Sequence, residues 1–155
     1  MHGIVCHHWC FLTRAARGQR AGCAFPPLGL YRLTAVPTPL ERGTLVLLPV
    51  PPALQAWQSR WVPLLKPVAA IAGETVCVLN LSLWVEEQWY GPVLEQAHGK
   101  PLLRMEGCVT LAEGEVFLAS PAPNSLDGRY FGPIAATALT AQAVPLFTWG
   151  DMHGR

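Results

Sequence analysis

The sequence predicts a mainly β domain with few short helices, and three observations carry that expectation. Fifteen Pro and 14 Gly break the 155-residue chain every few positions. Between the breaks lie short β-rich runs, with few stretches long enough to sustain a 3.6-residue period. The chain is 51% hydrophobic and 14% charged, and its length suits one domain with a real core.

The elements follow in chain order. Residues 1–25 hold three of the five Cys, three of the five His, three Arg and no acid, which sets them apart from everything after residue 25. Residues 29–36 (GLYRLTAV) and 43–50 (GTLVLLPV) are expected as strands joined by a Pro-bearing turn ending at Glu41 and Arg42. A short helix is expected within 52–65, confined to the part before Val62 because Pro63 follows. Residues 66–71, 75–79 and 83–87 are expected as strands, with Gly73 and Glu74 turning between the first two. The polar, Gly/Pro-broken segment 88–107 is expected as a surface excursion. Strands at 115–120, 133–139 and 142–149 complete a set of about eight, as in barrel-like or sandwich folds.

With 11 basic and 10 acidic residues, no polybasic surface is offered to nucleic acid or anionic lipid. No run of about 20 apolar residues supplies a membrane span. His7 and His8 interrupt the opening apolar run and its Arg residues follow it, the reverse of a secretory signal. Cys6, His7, His8, Cys10 and Cys23 match zinc-ligand spacing poorly, so neither metal nor other cofactor is expected. The domain is therefore expected at 26–150, with 1–25 a non-native or disordered segment and 151–155 a tail.

Two local features concentrate the chemistry. Residues 124–134 (NSLDGRYFGPI) bring an Asn, a Ser, an Asp, an Arg, a Tyr and two Gly together. Asn124, Asp127 and Gly128 suit a turn, and in extended chain Asp127 and Arg129 would share a face and pair. A solvated hairpin with an ion pair at its rim accounts for the same residues. The second feature is Lys66, one of two Lys in the chain, set in the apolar run LLKPVAAIAG. Either it snorkels its ammonium into water, or it is buried and loses proton affinity, which makes it a general base near neutral pH.

Three stretches in one order resemble the signal (leader) peptidases. Residues 66–74 (KPVAAIAGE) resemble their lysine box, K-R-V-x-G-x-P-G-D, and NSLDGRYFGP resembles their last box, S-x-D-S/G-R-x-x-G. PPLGLYRL followed by ERGTLVLL is similar to the strands around the nucleophile and the following R-G-D-x-V box. SLDGRYFGPI preceded by EVFLASPAP is especially similar to the conjugative-transfer signal peptidases of the TraF type, and the likeness covers about 27–149. It implies a coiled β-barrel and peptide-bond hydrolysis after small residues, by attack of a serine paired with a lysine and with a backbone N–H stabilising the oxyanion. Lys66 would be the general base and Ser125 would hydrogen-bond its amine. Asp127 and Arg129 would pair to hold the loop, and Gly128 and Gly132 would permit close backbone approach. The implied partner is a peptide, a pilin precursor, at the periplasmic face of the inner membrane. Membrane contact would come only through an N-terminal anchor; substrate-binding residues and oligomeric state are not implied.

The family pattern S-x-P-x-G-x-Y aligns on Pro27, Gly29 and Tyr31 and places the nucleophile at Phe25, which cannot attack a carbonyl. Cys23 is two residues away and is a poor substitute. The absent serine and anchor both belong upstream of Pro26, where composition already differs. Residues 1–25 are thus expected to be an out-of-frame or wrongly started reading joined to a genuine peptidase domain, with a diverged, inactive enzyme as the alternative. A non-catalytic peptide-binding β module is the second functional class. Cys77 and Cys108 each lie beside a candidate strand, and a disulfide between them and two buried free thiols are both open.

Overall fold

The computed structural model describes residues 3–6 and 26–149. Apolar residues at alternate positions, cut short by Pro and Gly, give thirteen strands among the described residues. The first are β1 (Gly3–Cys6), β2 (Leu28–Thr34), β3 (Leu45–Leu48), β4 (Leu64–Ile71), β5 (Thr75–Leu79), β6 (Ser82–Val85) and β7 (Gln88–Pro92). They are followed by β8 (Gln96–Ala97), β9 (Lys100–Pro101), β10 (Gly107–Thr110), β11 (Glu115–Leu118), β12 (Ile134–Ala135) and β13 (Ala141–Trp149). A one-turn helix, α1 (Gly128–Phe131), and two 3-10 turns, Pro52–Leu54 and Ala136–Ala138, are the helical pieces. The mainly β class with few short helices is as the sequence predicts. Among the described residues no helix is long and apolar enough to cross a membrane.

Seven strands form one sheet in the order β1-β2-β13-β3-β4-β11-β12, four form a second in the order β10-β5-β6-β7, and β8 pairs with β9. Every strand pairing is antiparallel. The largest core cluster joins the sheets: Leu64 and Ala70 of β4 and Phe117 of β11 meet Val76 and Val78 of β5 and Leu83 and Val85 of β6. Phe117 and Leu83 are fully buried, each stabilising the fold by roughly 1.5–3 kcal/mol relative to exposure. Asn80 and Leu81 both take positive φ, 48° and 56°, and close β5 onto β6 as a two-residue hairpin.

Central position explains β4. It lies between β3 and β11, so seven of its eight residues are buried and it reads as a nearly continuous apolar run. Pro67 is tolerated there because the β4–β11 ladder ends at Leu118↔Val68, one residue earlier in that direction, and no ladder bond needs its missing N–H. Past that point the chain leaving β11 runs beside β4, with the Ala119 amide donating to the Pro67 carbonyl at 3.3 Å.

Several expected elements are corrected. The helix within 52–65 is a three-residue 3-10 turn, whose start at Pro51 and Pro52 has no side-chain cap. The strand at 133–139 is two residues long and then turns into Ala136–Ala138, with the Ala136 amide held by the Gly114 carbonyl. Segment 88–107 is not a surface excursion throughout. It contributes β7 to the second sheet and buries Gly91, Val93 and Leu102, because the hairpin from β6 carries it back over the core. Cys108 and Cys77 face each other across β10 and β5 with Cα atoms 4.0 Å apart and form a disulfide, so of the two open alternatives the structure contains the bond. The calls on residues 1–25 and 151–155 lie outside the described residues, except that the backbone of Gly3–Cys6 pairs with β2 as an edge strand.

Candidate active site

Lys66 enters the site from the centre of β4. Its side chain is 6% exposed, and its Nζ donates to Ser125 Oγ at 2.8 Å across 59 residues of sequence. Burial pushes the Lys66 pKa below the ordinary lysine range, since an ammonium without bulk water is disfavoured. The Asp127 carboxylate acts in the opposite direction, and the Arg129 cation reinforces the lowering. Snorkelling into water is thereby excluded: the amine is enclosed and already points at a hydroxyl.

The loop that delivers Ser125 is held by a closed set of bonds. Arg129 Nη1 donates to Asp127 Oδ2 at 2.6 Å, and Nη2 donates to the Ser120 carbonyl at 2.8 Å. The Ser120 amide donates to Asp127 Oδ2 at 3.0 Å, so acid and base grip the same residue from both sides. Neither side chain is exposed at all, which overturns the rim ion pair of a solvated hairpin. Asp127 Oδ1 also accepts from the Arg129 amide at 3.1 Å and so caps α1. Gly128 fits because a Cβ there would stand 2.7 Å from the Leu118 carbonyl and 2.8 Å from the Phe117 ring. Gly132 ends the turn at φ 77°, a conformation glycine adopts freely.

The structure thus brings Lys66, Ser125, Asp127 and Arg129 together. The reason for the Asp127–Arg129 pairing differs from the extended-chain expectation. Asp127 is extended, but Arg129 is in the first turn of a helix, and the cap geometry folds the guanidinium back onto the carboxylate. Phe25, the expected nucleophile position, lies outside the described residues. The candidate zinc set, Cys6, His7, His8, Cys10 and Cys23, lies outside them as well, apart from the backbone of Cys6.

Sequence reasoning missed Ser120 and Tyr90. Ser120 is fully buried and presents its backbone to both members of the ion pair, a role that no side-chain motif announces. Tyr90 Oη donates to the Ala119 carbonyl at 2.8 Å from a segment assigned to the surface. Chemically, the arrangement offers a lysine amine of reduced proton affinity, aimed by a hydroxyl and backed by a rigid loop.

Comparison with known proteins bears on the family of the chain as a whole. The signal peptidase family, peptidase S26, matches residues 19–149. A probable conjugal transfer protein TraF of Sinorhizobium fredii (strain NBRC 101917 / NGR234) is 32% identical over 143 residues, covering 79% of this chain and 73% of that one. A plasmid transfer protein TraF of Escherichia coli is 29% identical over 171 residues, covering 95% of this chain and 94% of that one. The crystal structure of a signal peptidase I from Enterococcus faecalis V583 overlaps 70% of this chain and 98% of that one, with a TM-score of 0.42 and 16% identity, a likeness too slight to argue from.

Proposed function

The chain belongs to the signal peptidase family, peptidase S26, in its TraF-like branch, and on that premise we propose that its site is built for cleaving a pilin precursor in conjugative DNA transfer, with Lys66 as general base. The observation that carries this reading is the buried Lys66 Nζ at 2.8 Å from Ser125 Oγ, with the Asp127–Arg129 pair behind it. A lysine enclosed in this way is deprotonated at a lower pH than a solvated one, which is what a base in a serine–lysine pair requires.

The hydroxyl that Lys66 would deprotonate belongs at position 25, where this sequence has Phe25. With Phe25 in place the site has no nucleophile, and the chain binds the precursor without cutting it. Supplying a serine gives a balanced reaction. Neutral Lys66 takes the hydroxyl proton as the oxygen attacks the scissile carbonyl; the resulting Lys66 ammonium then protonates the departing amine, and water, deprotonated by neutral Lys66, attacks the acyl group and releases it as a carboxylic acid while the Lys66 proton returns to the serine oxygen.

The test is Phe25→Ser in the full chain, incubated with precursor peptides carrying Ala-x-Ala before the scissile bond. Cleavage is expected, and adding Lys66→Ala should abolish it, because the two groups act as a unit. A Phe25→Ser chain that binds the peptides and never cuts them replaces this reading with a peptide-binding module, the second reading, which Phe25 itself favours. A chain that neither cuts nor binds them removes both.

A further inference from the structure

We infer that Gly91 on β7 is a positioning residue for this site, holding the Arg129 guanidinium, and through it Ser125 and Lys66, by leaving a gap that no other residue can leave. The inference deepens the proposed peptidase function and takes its importance from it. Its basis is a contact between the second sheet and the loop after β11. A Cβ built on Gly91 would lie 2.8 Å from Arg129 Nη2 and 3.9 Å from Arg129 Cζ.

An arginine tip ordinarily swings aside from such an intrusion, but this one has nowhere to go. Arg129 is fully buried, its Nη1 is committed to Asp127 and its Nη2 to the Ser120 carbonyl, and its Nε has no partner that would hold it in an alternative pose. Moving the guanidinium breaks both bonds at once and releases Ser120, Asp127 and the turn that carries Ser125.

Three further contacts show that the second sheet and the segment beside it grip the same loop. Tyr90, next to Gly91, donates to the Ala119 carbonyl at 2.8 Å; the Leu94 amide donates to Tyr130 Oη at 3.0 Å; and the Met105 amide donates to the Arg129 carbonyl at 2.8 Å. Gly91 stands between the first two, and its partner across the ladder is the fully buried Leu83, so the strand cannot retreat to make room for a larger residue. Lys66 is thus oriented by β4 beneath it and by β7 acting through Arg129; burial is the main cause of its lowered proton affinity, which the Asp127 carboxylate opposes and the Arg129 cation reinforces.

The experiment uses two reporters in the full chain, neither of which needs turnover. Lys66 and Lys100 are the only lysines, so 13Cε-lysine labelling gives two signals, and the pH titration of one reports Lys66. The Arg129 Nε–H resonance reports the guanidinium. In Gly91→Ala the Lys66 midpoint should move up toward the ordinary lysine range as the loop opens to water, and the Arg129 signal should shift. In an Asp127→Asn/Arg129→Gln background, where the side chain is shorter and both charges are gone, Gly91→Ala should change nothing further. If Gly91→Ala alone does not fold, recovery of the fold in that background supports the inference, and no recovery overturns it. A folded Gly91→Ala protein with both signals unmoved also overturns it. Failure of Phe25→Ser to cut would remove the peptidase reading and leave these readouts standing, so the two failures are distinguishable.

Discussion

Replacing Asp127 by Ala should nearly unfold the domain, and the size of the effect follows from what the carboxylate holds. It accepts from Arg129 Nη1, from the Ser120 amide and from the Arg129 amide, all of them without solvent. Removing it leaves a buried cation unpaired, which costs about 3–5 kcal/mol, and α1 without its cap, about 1 kcal/mol more. That approaches the total stability of a domain, about 5–15 kcal/mol. In urea, with a slope of about 2 kcal/mol per molar, the midpoint should fall by roughly 2 M. The double variant Asp127→Ala/Arg129→Leu should lose less than Asp127→Ala alone, because it removes the unpaired charge rather than exposing the protein to it. The assay is equilibrium urea unfolding followed by tryptophan fluorescence, with the disulfide intact. A loss below about 1 kcal/mol for the single variant would refute the reasoning, since that is the scale of a solvated pair.

Two further outcomes are expected. Lys66 has its folded-state pKa lowered by burial, so between that value and the unfolded value of about 10.4 the unfolded chain binds more protons, and stability should rise with pH across this window. Below the window the full burial cost is present; Lys66→Met should abolish the slope, and urea unfolding at a series of pH values checks it, a flat profile for the parent chain counting against an enclosed amine. Reducing the Cys77–Cys108 bond, which spans a sequence separation of 31, should lower stability by about 3–4 kcal/mol on the chain-entropy estimate, measured by unfolding with and without reductant; equal midpoints would refute it.

How much of this was legible in the sequence depended on whether the signal was local. Residues 75–79 were readable to the residue, because the run TVCVL is bounded by the Gly73 turn and the Asn80–Leu81 hairpin. Lys66 stood out because a lone charge in an apolar run must be explained, and Ser125, Asp127 and Arg129 because polar groups so dense are rare in this chain. Their assembly was legible through the resemblance of the two boxes rather than from spacing. Asp127 and Arg129 do pair, but the single helical turn that makes them pair rests on a cap and on Gly128 packing under Phe117, both tertiary. Segment 88–107 was misread for a related reason. Exposed Trp89 and Leu103 and the scattered Gly and Pro resemble a loop, whereas the residues that matter, Tyr90, Gly91 and Leu94, act through a backbone amide, one hydroxyl and an absent side chain.

The sequence separation of 59 between Lys66 and Ser125 also orders events in time. As the chain is made, Lys66 leaves the ribosome well before β11 and the loop beyond it, and until those arrive β4 lacks its neighbour on that side. An uncovered lysine in water keeps its proton. The lowered proton affinity of the amine therefore arises only when the last third of the domain docks, and a half-made or proteolytically shortened chain carries the residue without it.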